Sequence, residues 1–197
     1  MRNLLSTKDQ RQLRLMETLI QNRNWMKLYE LAEKLGCTER ILKSDLNELR
    51  IAFPSIDIQS SVNGIMIDLE VNTSVEDIYQ YFLANSQSFQ LLEYLFFNEG
   101  LPIYRTIENL HSSNANLYRL GRNITKTLST QFQIELSFTP SEIRGNEVDI
   151  RYFFAQYFSE RYYFLDWPFP DLSEEDLTEF ADFFYKITNY PMRFSIY

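Results

Sequence analysis

The residues best suited to chemistry in this 197-residue chain lie on two short stretches of helical periodicity. In the first, Arg40, Lys43, Ser44, Asn47 and Arg50 fall opposite an apolar stripe of Leu42, Leu46 and Leu49. In the second, Asn114, Tyr118, Arg119, Arg122 and Lys126 occupy or border the side opposite Leu117, Leu120 and Ile124, with Asn116 and Asn123 beside them. Guanidinium, ammonium, amide and hydroxyl groups are the donors that bond phosphate oxygens and base edges. The chemistry on offer is recognition of double-stranded DNA rather than bond making. The first residues of such a helix usually reach the bases. That assigns Arg40, Lys43 and Ser44, with Asn47 beside them, to a major groove, and Arg50 to a phosphate. A hairpin tip at Ser60 to Asn63 is placed to touch an adjacent groove or the backbone. The bland alternative stays open, because surface helices carry Arg, Lys and Asn simply to be solvated.

No catalytic constellation accompanies these residues, and the chain reads as a non-enzyme without cofactor or metal. The five glycines form no phosphate-binding loop. The single thiol, Cys37, falls in a turn position facing the core, where a cysteine acts as a small hydrophobe. The single histidine, His111, stands at a helix end, and no Cys/His cluster can hold zinc. Ser173-Glu174-Glu175-Asp176 reads as a helix start, with Ser173 as cap and carboxylates at the positive end of the dipole.

Both stretches need neighbours to hold them. Residues 8–22 place Leu13, Met16, Leu19 and Ile20 on one stripe, and 27–35 repeat it with Leu28, Leu31, Ala32 and Leu35. Gly36 then breaks the helix, Thr38 caps the next, and Pro54 stops it. Ala32, Gly36 and Leu42 have the spacing of a helix-turn-helix. The alternating runs IDIQSS and GIMIDL flank Val62-Asn63-Gly64, a strong hairpin signal. The same order returns about 75 residues later: helices over 87–98, 102–111 and 114–130, a strand over 132–138, and a short return at Ile143-Arg144-Gly145. Gly121 in mid-helix costs about 1 kcal/mol against alanine and suggests crowding by a neighbouring helix. An acidic helix over 74–84 connects the copies, and two Phe/Tyr-rich helices follow over 146–164 and 173–189, separated by Trp167-Pro168-Phe169-Pro170.

The expected fold is mainly α with small β wings. Two tandem winged helix-turn-helix domains occupy residues 1–70 and 87–145, a linker helix 71–86, and the start of a further helical domain 146–197.

Charge follows this division. The net charge of −8 argues against nucleic acid only as an average. Residues 1–69 hold ten basic and nine acidic side chains, and 101–145 five and three. The acid surplus lies in 70–100, with none and five, and in 146–197, with four and ten. The lone cysteine excludes an internal disulfide framework and fits a reducing cytoplasm, near the nucleoid for a DNA binder. No apolar run approaches a membrane span, so no membrane partner is expected. A second reading makes residues 146–197 a protein-interaction module, with exposed Phe and Tyr on 152–164 and 180–185 facing a partner such as RNA polymerase. The plainer version makes those aromatics the core of a helical domain.

The stretch LAEKLGCTERILKSDLNELR resembles the helix-turn-helix of Mga/AtxA-type virulence regulators of Gram-positive bacteria and, more distantly, regulators with phosphotransferase-regulated domains (PRDs). Asp45 falls where the wider family often carries Asp. Gly145-Asn146-Glu147 followed by Ile150-Arg151-Tyr152-Phe153 is similar to the junction after the second winged helix. The resemblance implies a transcriptional activator that binds promoter DNA through both winged helices. It also implies a longer protein, whose regulatory and oligomerisation domains lie C-terminal to a PRD-like domain that only begins at 146–197. Two positions depart from the pattern: Leu120 stands where Asp is usual, and Gly121 is uncommon. PRD phosphorylation sites are histidines, and none can be carried over to His111.

Overall fold

The computed structural model describes residues 1–68, 74–162 and 167–190. The chain forms two compact units, Met1–Arg161 and Tyr162–Tyr197.

The first unit opens with a 3-10 turn, Arg2–Leu4, and helix α1, Thr7–Asn22. Ser6 caps α1 by accepting the Asp9 N–H, and Leu13, Met16 and Leu19 are buried. Helix α2, Leu28–Leu35, ends at Gly36 with φ +65, the left-handed conformation that glycine adopts without strain. Helix α3, Glu39–Ala52, is capped by the Thr38 hydroxyl, which accepts the Ile41 N–H. Cys37, expected to be buried, is half-buried, and burial pushes its thiol pKa up.

Strands β1, Asp57–Ser61, and β2, Gly64–Asp68, form an antiparallel hairpin from Asp57↔Asp68 to Ser61↔Gly64. Its two-residue tip is Val62-Asn63. The expected Asn-Gly signal is thus split between tip and strand: Asn63 turns, and Gly64, at φ +130, opens β2. Gly64 also lets a third segment approach. Met26, between α1 and α2, exchanges both backbone hydrogen bonds with Ile65 at 2.9 and 2.8 Å. Ile58, Ile65 and Ile67 bury the inner face of the hairpin.

Helix α4, Val75–Asn85, is started by a capping box between Ser74 and Asp77. It is no free linker. Ile78, Phe82 and Leu83 are buried, and Tyr81 lies against Phe53 at the end of α3, with ring centroids 4.6 Å apart. The boundary expected at 70/71 lies outside the described residues.

The second copy consists of α5, Gln87–Phe97, α6, Ile103–Asn109, α7, Asn114–Leu128, β3, Glu135–Phe138, and β4, Ser141–Arg144. β3 and β4 are antiparallel from Glu135↔Arg144 to Phe138↔Ser141, so β3 starts later than expected and its return is one residue longer. Helix α8, Glu147–Arg161, follows directly. Expected to open the last domain, it packs instead within the first unit. Phe153, Phe154, Tyr157 and Phe158 are buried, and the Tyr157 hydroxyl sits 2.9 Å from both the Phe89 carbonyl and a Glu93 carboxylate oxygen. At its far end Glu160 accepts the Tyr79 hydroxyl of α4 at 2.7 Å, and burial together with that bond raises the Tyr79 pKa.

In the second unit, helix α9, Glu174–Thr188, begins at Ser173, whose hydroxyl accepts the Asp176 N–H as expected. Phe180, Phe183 and Tyr185 on it are exposed. Among the described residues, no helix is long and apolar enough to cross a membrane, and no group of three His/Cys/Asp/Glu side chains could hold a metal ion.

Candidate nucleic-acid interface

On α3, Arg40, Lys43, Ser44 and Asn47 are exposed on one face, opposite buried Leu42, Leu46 and Leu49. Among the described residues Arg40 and Lys43 have neither a hydrogen bond nor an ion pair from their side chains, so both cations are available to a partner. The acids of α3 are answered from α1. Asp45 is 2% exposed and takes a two-pronged contact from Arg11, Nε to Oδ2 at 2.6 Å and Nη2 to Oδ1 at 3.0 Å. Gln12 donates to Asp45 at 3.1 Å and to Glu48 at 2.9 Å, and Lys8 pairs with Glu48 at 2.5 Å. These contacts raise the pKa of Arg11 through its bond to Asp45, and lower that of Glu48 through Lys8 first and Gln12 second. They fasten α3 to α1 and leave Glu39 as the one unpaired acid of the helix among the described residues.

Helical periodicity alone does not reveal this clamp, although a signal for it exists. Position 45 lies on the inward stripe with 42, 46 and 49, and a buried carboxylate requires a partner.

Arg50 stands apart from the other four. It is half-buried, with Nε 3.1 Å from the Ile58 carbonyl, Nη1 3.3 Å from Asn47 Oδ1 and Nη2 2.5 Å from Ser60 Oγ. Asn63 is exposed at the hairpin tip, where Lys27 Nζ holds the Val62 carbonyl at 3.0 Å.

Helix α7 carries three basic residues, Arg119, Arg122 and Lys126, and no acid. All three are exposed, as are Asn114 and Tyr118, while Asn116 is half-buried. Arg119 donates to Asn116 Oδ1 at 2.7 Å, and Asn116 Nδ2 donates to Ser112 Oγ at 2.9 Å, which orients the guanidinium along the helix surface. Arg122 reaches the Tyr118 carbonyl at 3.4 Å. Gly121 is buried, and a Cβ there would stand 2.4 Å from Cε2 of Phe138. The crowding comes from the ring of a strand residue and not from a neighbouring helix. That ring also meets Tyr118 edge-on, with centroids 5.2 Å apart.

The copies correspond at a constant sequence offset of about 75 residues. Leu42, Leu46 and Leu49 correspond to Leu117, Gly121 and Ile124, all buried, while Lys43, Ser44 and Asn47 correspond to Tyr118, Arg119 and Arg122, all exposed. Duplicated helices with donors at the same outward positions, each followed by a two-stranded wing, are tandem winged helix-turn-helix domains.

Three related sequence patterns match along the chain. The M protein trans-acting positive regulator (MGA) HTH domain matches residues 6–65, the Mga helix-turn-helix domain 71–158, and the M protein trans-acting positive regulator (MGA) PRD domain 173–197. The chain belongs to the Mga family of trans-acting transcriptional regulators. A putative trans-acting regulator of Streptococcus pneumoniae serotype 4 is 47% identical over 195 residues, covering 99% of this chain and 40% of that protein. The capsule synthesis positive regulator AcpA of Bacillus anthracis is 26% identical over 179 residues, 88% of this chain and 36% of its own length. The anthrax toxin expression trans-acting positive regulator of the same organism is 23% identical over 187 residues, 92% and 38%. This Mga-family chain therefore spans less than half the length of these relatives.

Proposed function

We propose that this chain is the DNA-binding part of a transcriptional activator that engages promoter DNA in the cytoplasm through both winged helices, without catalysis of its own. The observation that carries the reading is the shared register of α3 and α7, with unpaired cations on the outward face of α3 and an acid-free α7. Arg40, Lys43, Ser44 and Asn47 serve base and phosphate contacts in the first module. Asn114, Asn116, Tyr118, Arg119, Arg122 and Lys126 do so in the second, and Asn63 contacts DNA from the wing. Residues 1–70 and 87–145 hold the two modules, 71–86 links them, and the PRD-like regulatory domain begins after α8. Target genes of virulence type are inferred from relatives named for capsule synthesis and toxin expression.

The test is a fluorescence-anisotropy titration of a labelled duplex at about 50 and 200 mM salt. Affinity falls steeply with salt because each phosphate contact releases counterions. Replacing Arg40 and Lys43 together by alanine weakens binding while circular dichroism stays unchanged. Salt-independent binding, or full binding by that variant, refutes the reading.

A second reading draws on the exposed Phe180, Phe183 and Tyr185 of acidic α9, a face suited to a protein partner such as RNA polymerase. Under it the Arg40/Lys43 variant loses nothing, and substitutions on α9 abolish the activity.

A further inference from the structure

We infer that Arg50 is a positioning residue rather than a phosphate ligand, and that the helix position it occupies ties the wing to the recognition helix in both modules. The inference rests on the DNA-binding reading for its consequence, though not for its geometry.

A guanidinium grips a phosphate by presenting two parallel N–H groups along one edge. In Arg50 the Nε–Nη2 edge is turned onto the wing, where it meets the Ile58 carbonyl at 3.1 Å and Ser60 Oγ at 2.5 Å, alternate residues of β1. Nη1 meets Asn47 Oδ1 at 3.3 Å. Arg50 also lies in the last turn of α3, where its charge complements the negative end of the helix dipole. The wing is held from two further sides, by the Met26–Ile65 backbone pair and by Lys27 on the Val62 carbonyl. Its tip therefore has a fixed position relative to the exposed donors of α3.

The second module supplies independent support. In the register that aligns Leu42 with Leu117 and Leu49 with Ile124, Arg50 corresponds to Thr125. The Thr125 hydroxyl accepts the N–H of Leu136, a β3 residue, at 2.9 Å. One copy donates from a guanidinium to a strand carbonyl, and the other accepts a strand N–H on a hydroxyl. Residue type and bond polarity differ, yet the same helix position bonds the first wing strand in each.

The test uses the full 197-residue chain with Arg50→Lys, Arg50→Met, Ser60→Ala and Thr125→Val, each checked for folding by circular dichroism. Amide hydrogen exchange is read at 57–68 and 135–144, and salt-dependent anisotropy on a mixed-sequence duplex. A tie predicts that Arg50→Lys behaves like Arg50→Met, since an ammonium cannot span the three acceptors. Exchange in the first wing speeds up by about tenfold or more, Ser60→Ala does so in part, and Thr125→Val does so only in the second wing. Affinity drops at least about fivefold while the slope of log affinity against log salt holds. A phosphate ligand predicts the reverse: unchanged exchange, tolerance of lysine, and a slope lower by about 0.9 in Arg50→Met. Either unchanged wing exchange in Arg50→Lys or that lower slope overturns the inference. If the unaltered chain shows no salt-sensitive binding, the DNA reading fails by itself, and the exchange rates still decide the tie.

Discussion

Removing Arg11 should unseat the first recognition helix without touching its outward face. In Arg11→Met the Asp45 carboxylate, 2% exposed, keeps only the single donor from Gln12 at 3.1 Å. Breaking a buried pair from one side costs about 3–5 kcal/mol, because an uncompensated charge stays behind. The lower end, about 3 kcal/mol, applies here, since the Arg11 side chain is 20% exposed and Gln12 remains. With a urea m-value of about 2 kcal/mol/M, the midpoint falls by roughly 1.5 M. The reporter is Trp25 fluorescence in a Trp167→Phe background, which leaves one tryptophan, in the first module. Arg2→Met is the control. It breaks the Arg2–Glu17 pair, whose arginine side chain is 53% exposed against 20% for Arg11, so solvent screening holds its worth to about 0.2–1 kcal/mol. The double variant Arg11→Met/Asp45→Leu should regain most of the loss, because an apolar pair replaces a buried ionic one at little cost. If Arg11→Met shifts the midpoint no further than Arg2→Met, Asp45 is not the buried clamp described above.

Other consequences follow from close contacts and one titrating group. Gly64→Ala drives a Cβ to 2.1 Å from the Met26 carbonyl oxygen at a backbone φ of +130, so hydrogen exchange should show the Met26–Ile65 pair lost and urea melts a loss above about 2 kcal/mol. Gly121→Ala gains about 1 kcal/mol of helix propensity but pushes the buried Phe138 ring, so urea melts should show a net loss of about 1–2 kcal/mol. Phe138→Leu in that background should restore part of it. The depressed Glu48 pKa stabilises the fold above the ordinary glutamate value, and the gain disappears as pH falls through the folded value. The difference in urea midpoint between the unaltered chain and Lys8→Met should therefore be full at about pH 6 and shrink as pH falls below the ordinary glutamate value of about 4.3.

Much of this architecture is legible because local signals agree with the global pattern. Thr38 and Ser173 cap the helices they precede. Leucine stripes at helical spacing find most of the core, although Leu28, Leu35 and Leu120 are half-buried and Gly121 takes the inward position beside Leu120; alternation around Asn63-Gly64 finds the first wing. What escaped depends on partners distant in sequence. Arg11 and Asp45 are 34 residues apart. Arg50 has an outward donor's residue type, and only the folded wing reveals its carbonyl and hydroxyl acceptors. The packing of α8 could not be read from periodicity, because aromatics are spread around the helix and the buried ones emerge only against α4, α5 and the Phe132 ring. Gly121 reads in the sequence as a helix-propensity cost, while its cause, the Phe138 ring, sits on a strand whose register periodicity leaves open.

The most direct test of the central claim is hydroxyl-radical footprinting on a duplex selected from a random-sequence pool by the unaltered chain. Two modules reading DNA together predict two protected segments. Arg40→Ala/Lys43→Ala should erase one and Arg119→Ala/Arg122→Ala the other, each with its partner segment still visible. A single segment that both variants abolish, or no protection by the unaltered chain, would contradict the account.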